Sequence, residues 1–259
     1  MRASAVAFSF FLALFPSIIF VFTLIPYIPI ANFQEQLLDL LKNFMPHNAY
    51  EATKDTILDI VTNQRGGLLS IGFFSALYFS TNGFNALITA FNSTYHDIET
   101  RTGFQQRLAS IFLVVIFTLL LLTAIALIIA SELVLNKIFR QGEFSYYLIL
   151  SGRWVIVFAL FYFLISFTFY MGPARKAGWR FFSAGSMLAT ILSIFMSVGF
   201  AYYVNNFGNY NKLYGSIGTL LVVLLWIYFN ALVLLIGFDL NASIHKAKRD
   251  KVVSETPEL

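Results

Sequence analysis

The chain has 259 residues, of which 58% are hydrophobic and only 12% are charged. Soluble globular domains have about 45–50% apolar and about 25% charged residues. A water-soluble enzyme and a disordered chain are therefore both excluded, because neither could shield so much apolar surface from water. The net charge of +4 is modest, and the absence of cysteine excludes disulfides and cysteine-based metal sites. The composition predicts a protein embedded in lipid.

Six stretches are long and apolar enough to cross a bilayer, which takes about 20 residues. They cover roughly residues 5–29, 68–92, 108–134, 153–171, 181–204 and 216–240. None alternates like a barrel strand, and an open sheet edge is not tolerated in lipid. The predicted fold is an all-α integral membrane protein, a bundle of six transmembrane helices. Residues 1–245 form its transmembrane domain and residues 246–259 a cytoplasmic tail.

The first loop, residues 30–66, is long and has helical signals. Asn32 and Glu35 form a capping-box pattern ahead of an apolar stripe at helical spacing, and Pro46 ends that helix. A second helix follows, with Ile57 and Ile60 on one face. The loop therefore predicts two short amphipathic helices, either as a cap over the bundle or on the lipid surface.

Orientation follows from the placement of lysine and arginine. With six spans, both termini share a side with the second and fourth loops. That side carries ten of the 17 basic residues: Arg2, Arg101, Arg107, Arg175, Lys176, Arg180, Lys246, Lys248, Arg249 and Lys251. Cytoplasmic loops are enriched in lysine and arginine, so both termini are predicted to be cytoplasmic.

The second span carries a polar seam. Its members follow one another at spacings of three and four residues: Ser75, Tyr78, Asn82, Asn85, Thr89, Asn92 and His96. This spacing places them on one helix face. Polar side chains in a membrane face the protein interior or a wet cavity. Two interpretations are open: hydrogen bonds that hold helices together, or one wall of a polar pathway.

The fifth span has a ridge of small residues four apart: Gly185, Ala189, Ser193, Ser197 and Ala201. Small residues let helix backbones approach closely, so this span is predicted to be a helix–helix interface and the third span to face lipid. Beyond the ridge, Tyr202, Tyr203 and Lys212 suit the membrane interface. They are alternatively candidates for contact with an anionic lipid headgroup.

The sixth span has Asn230 near its middle and Asp239 near its end. We expect Asn230 to meet Asn82 and Asn85 inside the bundle, because all three amides would be costly against lipid. Asp239 has two interpretations. It is a carboxylate that a proton-coupled carrier could neutralise, or an ion-pair partner of Lys246 and Arg249. The candidate polar pathway comprises Asn82, Asn85, Asn92, Asn230 and Asp239.

Signals for catalysis are absent from the sequence. It has no phosphate loop, no nucleophile elbow and no metal-ligand spacing among its three histidines. We therefore expect no enzyme activity, no cofactor and no metal. The basic stretch 245–251 directly follows a span, so it favours anchoring to anionic lipid over binding of nucleic acid.

Several motifs together resemble the YihY/BrkB-like bacterial inner-membrane proteins, some of which were once mislabelled ribonuclease BN. The resemblance covers most of the chain. It rests on LALFPSIIF around Pro16, GGLLSIGFFSAL at 66–77, ALITAFNSTY followed by Arg101 and Arg107, and YGSIGTLLVVLLWIYFNALVLLIGFDLNA at 214–242. Asp239 stands where the family usually has Glu, and the segment that usually precedes the first span is absent, so we expect a shortened chain.

The resemblance implies six helices with cytoplasmic termini in the bacterial inner membrane. It supplies no settled activity, although members have been linked to serum resistance and proposed as transporters, including of envelope lipids. We expect a transporter or lipid-translocating protein that acts through a polar path between the second and sixth spans. The alternative is a scaffold or envelope-assembly factor that does not transport. The expected partners are membrane lipids and a lipid or small-molecule substrate; no oligomeric state is predicted.

Overall fold

The computed structural model describes residues 1–27, 47–94, 101–138, 144–174, 181–207 and 216–255. Every element within these ranges is helical. The α-helices are α1 (Arg2–Leu24), α2 (His47–Thr62), α3 (Gly66–Asn92), α4 (Gly103–Ile138), α5 (Phe144–Met171), α6 (Ala184–Phe207) and α7 (Ser216–Glu255), and a 3₁₀ turn (Ile25–Tyr27) follows α1. The all-helical prediction is confirmed for these residues. Helix α7 continues without a break beyond the predicted end of its span.

Five of these helices are long and apolar enough to cross a membrane. The qualifying stretches are Arg2–Tyr27, Gly103–Ile128, Trp154–Met171, Ala184–Tyr203 and Leu220–Asp250. Helix α3 has 27 residues, which is also long enough, but its polar side chains keep it out of this group. The multi-pass architecture is therefore confirmed, whereas the exact count of six spans stays a prediction.

The chain divides into two compact units, Ser9–Ser80 and Met1–Phe8 with Thr81–Leu259. In the smaller unit, α1 passes so close to α3 that a Cβ added at Gly72 would lie 3.1 Å from the Cα of Phe20. Helix α2 confirms the second helix predicted in the first loop, with Ile57 and Ile60 half-buried. The first predicted helix of that loop, with Asn32 and Glu35, lies outside the described residues.

In the larger unit, α5 packs against both α4 and α6, and α6 packs most extensively against α7. Three phenylalanines from α3, α5 and α7 form its centre: Phe91 stacks on Phe238 at 4.1 Å between ring centroids, and Phe169 meets both edge-on. All three side chains are almost fully buried. This aromatic contact holds the end of α3 beside α7 and α5.

Helices α4 and α6 differ in how much of their surface is covered. Only 6% of the candidate span in α4 is buried, against 28% in α6. Large apolar side chains such as Leu119 and Leu122 on α4 are exposed, as expected for a helix that faces lipid. The predicted packing of the fifth span is confirmed, and the third span is the less covered of the two; that it faces lipid stays a prediction.

Candidate functional site

The polar seam of α3 is directed at α4. The Arg107 Nη1 group donates to Asn82 Oδ1 at 2.5 Å, and Gln106 Nε2 donates to Asn85 Oδ1 at 2.6 Å. The same Gln106 nitrogen also donates to Thr89 Oγ1 at 3.1 Å. All of these side chains are half-buried except that of Thr89, which is exposed. The central amides of the seam therefore join α3 to the first turns of α4.

The expected pairing of Asn82 and Asn85 with Asn230 is wrong. The Asn230 amide donates instead to the Trp226 carbonyl one turn earlier on α7, at 2.9 Å. A polar residue on a helix can satisfy its donor on the preceding turn of its own backbone, so mid-span position alone does not require a partner on another helix. Two other members of the seam fall elsewhere: Tyr78 is exposed in the smaller unit, and His96 lies outside the described residues.

The end of the seam contacts the end of α5. Asn92 Oδ1 accepts a hydrogen bond from the Ala174 backbone N–H at 2.9 Å. Nearby, the Arg101 guanidinium donates to the carbonyls of Met171, Gly172 and Pro173 at 3.0–3.1 Å. The last carbonyls of a helix have no partner within it, so Arg101 caps α5 from the loop before α4. Partial burial lowers the pKa of Arg101, because a charged guanidinium loses hydration there.

Asp239 is paired with the first residues of the chain. Its carboxylate lies 3.2 Å from the Arg2 guanidinium and accepts a hydrogen bond from Thr94 Oγ1 at 2.7 Å. Arg2 also donates to Thr94 Oγ1 and to the Ala90 carbonyl. An ion pair is confirmed, but its predicted partners are wrong: Lys246 and Arg249 lie further along α7 and are exposed. Asp239 thereby links α7 to the start of α1 and to the turn that follows α3.

A close crossing of α6 and α7 completes this region. Asn241 Oδ1 accepts from the Gly185 backbone N–H at 2.8 Å, and its Nδ2 group donates to Ser183 Oγ at 2.7 Å. A Cβ at Gly185 would lie 2.0 Å from the carbonyl oxygen of Gly237. The predicted interface is thus confirmed at Gly185. We call Arg2, Asn92, Thr94, Arg101, Asp239 and Asn241, with the groups they contact, the polar end of the larger unit.

The rest of the small-residue ridge follows the same helix face for about three turns. Ala189 and Ser193 are buried, and Ser197 Oγ accepts from the Trp226 indole N–H on α7 at 3.2 Å. Ala201 is exposed, so the ridge ends before it. Of the candidates for headgroup contact, Tyr202 and Tyr203 are exposed near the end of α6, and Lys212 lies outside the described residues.

The site offers hydrogen-bond donors and one cation at the α3–α4 contact, next to a tightly packed polar end. Within the described ranges no three histidine or acidic side chains are grouped as metal ligands would be. Sequence reasoning missed Gln106, and it named Arg107 only in the count of basic residues and in the family pattern, not as a partner of the seam. The short connection between the second and third spans was a usable signal, because helices joined by a short loop pack side by side.

These features define a multi-pass, all-helical membrane protein whose polar contacts concentrate at one end of its larger unit. A family model described as virulence factor BrkB matches residues 1–258, so the chain belongs to the BrkB family. The resemblance seen in the sequence is therefore confirmed. No solved structure matches the chain.

Three relatives illustrate the family. A protein of Bacillus subtilis (strain 168) named as ribonuclease-like, YfkH, is 30% identical over 99% of this chain and 93% of its own length. A UPF0761 membrane protein of Aggregatibacter aphrophilus (strain NJ8700) is 25% identical over 97% of this chain and 89% of its own. Another, from Stenotrophomonas maltophilia (strain K279a), is 27% identical over 99% of this chain but 60% of its own. The ribonuclease-like name matches the old mislabel of the family.

Proposed function

We propose that this protein is a non-enzymatic transporter of the bacterial inner membrane that moves a lipid or small polar substrate along the polar seam of α3. The observation that carries the proposal is the seam itself. Helix α3 is long enough to span the membrane, yet it carries half-buried amides at Asn82 and Asn85 instead of apolar side chains. Polar groups at such positions are costly in lipid and commonly mark a substrate pathway.

The proposed path runs along α3 and α4, not between α3 and α7. Asn82 and Asn85 bond to Arg107 and Gln106 of α4, whereas Asn230 bonds within α7. Because Gln106 and Arg107 lie in the first turns of α4, the path is proposed to open near the polar end. Asn92 and Asp239 belong to that end, and we propose that they hold its helices together. Asn92 accepts a hydrogen bond from the Ala174 backbone N–H, and Asp239 forms an ion pair with Arg2.

Asn85→Leu tests the proposal. Purified protein is reconstituted into vesicles that contain a fluorescent phospholipid, and the rate at which the lipid crosses between leaflets is measured. We expect wild-type protein to raise that rate over empty vesicles and Asn85→Leu to abolish most of the increase. Gln106 keeps its bond to Thr89, so stability should fall by only about 0.6 kcal/mol, a typical value for one interhelical hydrogen bond.

Asn230→Leu is the matched control, because it makes the same substitution in a span without removing a bond between helices. It should leave the transport rate near that of wild type. Equal loss in both variants would contradict a path along α3 and α4.

A scaffold for envelope assembly is the second candidate, and the observation that favours it is that both seam amides accept hydrogen bonds from α4. If those bonds only hold helices together, wild-type vesicles will move lipid no faster than empty ones. Asn85→Leu will then lower the melting temperature and nothing else.

We further propose that both termini lie in the cytoplasm. The support is the basic excess of ten residues against seven, together with the ion pair that brings Arg2 to Asp239, near the exposed basic residues Lys246, Lys248 and Arg249 on α7. A fluorescent protein fused after Leu259 should be bright in intact cells, and a phosphatase fused there should be inactive. An active phosphatase fusion would place the C-terminus in the periplasm and contradict the proposed orientation.

A further inference from the structure

A hydroxyl in the middle of the larger unit has no protein partner. The Ser166 side chain on α5 is fully buried, and its Oγ atom forms no hydrogen bond with any residue that the structure describes. Thr168 shows the usual solution for a buried hydroxyl, because it donates to the Leu164 carbonyl one turn earlier at 2.8 Å. Native proteins pair nearly all buried polar groups with protein or with ordered water, since an unpaired one lowers stability. Ser166 therefore requires a partner.

The face of α5 that carries Ser166 is turned toward the beginning of α6. Phe163 and Tyr170 lie three and four residues from Ser166, so they flank it on that face. Both rings contact the ring of Phe181, at 5.1 Å and 5.8 Å between centroids. Phe181 lies just before α6, and α5 and α6 pack against each other. The hydroxyl of Ser166 is thus directed at the α5–α6 contact.

Thr190 is the α6 hydroxyl that lies closest to Ser166 in depth. Ser166 is five residues before the end of α5 at Met171, and Thr190 is six residues after the start of α6 at Ala184. At 1.5 Å of rise per residue, they lie about 8 Å and about 9 Å from the two connected helix ends. Thr190 is fully buried and donates to the Ser186 carbonyl at 2.8 Å, so its oxygen can still accept.

The chemistry of the two hydroxyls fits a bridging water. They are not bonded directly, because Ser166 Oγ has no protein partner. A buried water needs at least two polar partners and room for one molecule, and the neighbours of Thr190 on its helix face, Ser186 and Ala189, are small. Both hydroxyls lie within candidate membrane spans, Trp154–Met171 and Ala184–Tyr203, where bulk water is not an alternative partner.

We propose that Ser166 and Thr190 together bind one ordered water molecule between α5 and α6. Ser166 donates its hydroxyl proton to the water, and the water donates to Thr190 Oγ1. The bound water gives the buried serine its partner and joins the two helices inside the bundle. The site is separate from the seam of α3 and does not depend on the proposed transport.

A double-mutant cycle on the full chain in detergent tests whether the two hydroxyls are coupled. Ser166→Ala and Thr190→Val each remove one hydroxyl with little change in volume, and each should lower the melting temperature. We expect the unfolding constant of the double variant to be about fivefold smaller than the product of the single effects, because the shared water is lost only once. Ser166→Ala with Thr168→Val is the matched control. Thr168 bonds within its own helix, so those two effects should multiply.

Infrared spectra identify the molecule that couples them. The O–H stretching band of a bound water shifts when the protein is transferred into oxygen-18 water, whereas the band of a side-chain hydroxyl does not. We expect a shifting band in wild type that is lost in Ser166→Ala and in Thr190→Val. Thr190→Ser keeps the hydroxyl and should retain the band.

Coupling together with loss of this band supports the proposal, and the other outcomes overturn it. A higher melting temperature for Ser166→Ala would mean that the hydroxyl is unpaired in the protein. A lower one, with effects that multiply, would mean that Ser166 bonds to its own backbone as Thr168 does. Coupling without an oxygen-18-sensitive band would mean that Ser166 and Thr190 bond directly. A band that persists in Ser166→Ala would place the water elsewhere.

Discussion

Gly185→Ala is expected to destabilise the protein by about 3 kcal/mol or more. A Cβ at this position would lie 2.0 Å from the Gly237 carbonyl oxygen and 2.6 Å from the side chain of Asn241. Overpacking a core costs about 1–3 kcal/mol where side chains can yield, and here the nearest atom is backbone. The two helices must therefore separate, which also weakens the hydrogen bond from the Gly185 N–H to Asn241. Unfolding in detergent, followed by tryptophan fluorescence, measures the change.

Gly199→Ala is the matched control on the same helix. Nothing lies within 4 Å of a Cβ there, so the methyl group meets open space. Glycine within a helix costs roughly 0.5–1 kcal/mol relative to alanine, and this variant should be neutral or slightly more stable than wild type. Similar melting temperatures for Gly185→Ala and Gly199→Ala would show that the backbones of α6 and α7 leave room for a methyl group at Gly185 and do not cross this closely.

The α6 ridge shows how far sequence reasoning reaches. Small residues four apart identify a helix face that another backbone approaches, and three buried members confirm that face. The same pattern does not name the partner. Gly237 is one glycine within a long apolar run, and only the crossing itself shows that its carbonyl oxygen lies against Gly185. The spacing of small residues therefore predicts which face of α6 is packed, but only the structure shows that α7 is the helix packed against it.

The α3 seam illustrates the same limit. Its spacing correctly indicates one polar face, but mid-span position suggested Asn230 as the partner, whereas the bonds go to Gln106 and Arg107. Long side chains at the start of the next helix can reach a full turn along α3. Chain connectivity was thus the better guide, because antiparallel neighbours are usually consecutive.

Asp239 shows why charge spacing along one helix is a weak guide to ion pairs. Lys246 is seven residues away on the same helix, which corresponds to about 10 Å of helical rise. Arg2 is 237 residues away in sequence but lies within 3.2 Å of the carboxylate. Both ion-pair partners are well exposed, so the pair is expected to contribute no more than about 1 kcal/mol.

Arg101→Gln is expected to destabilise the protein by about 2–3 kcal/mol. Hydrogen bonds to charged groups contribute about 1.5–3 kcal/mol, and this guanidinium holds three carbonyls at the end of α5: those of Met171, Gly172 and Pro173. Burial lowers its pKa, but an arginine remains protonated near neutrality, so the loss should be the same at pH 6 and pH 8. Unfolding of each variant in detergent at both pH values measures it.

Arg101→Lys separates geometry from charge. A lysine ammonium is a compact charge on a flexible stem and lacks the planar fork that reaches several carbonyls together, so this variant should recover only part of the lost stability. Lys248→Gln, which removes an exposed charge, should leave stability within about 0.5 kcal/mol of wild type. If Arg101→Gln also stayed within that range, the α5 carbonyls would be solvated without Arg101, and the cap would not contribute to folding. A full recovery by Arg101→Lys would instead mean that charge alone satisfies the end of α5.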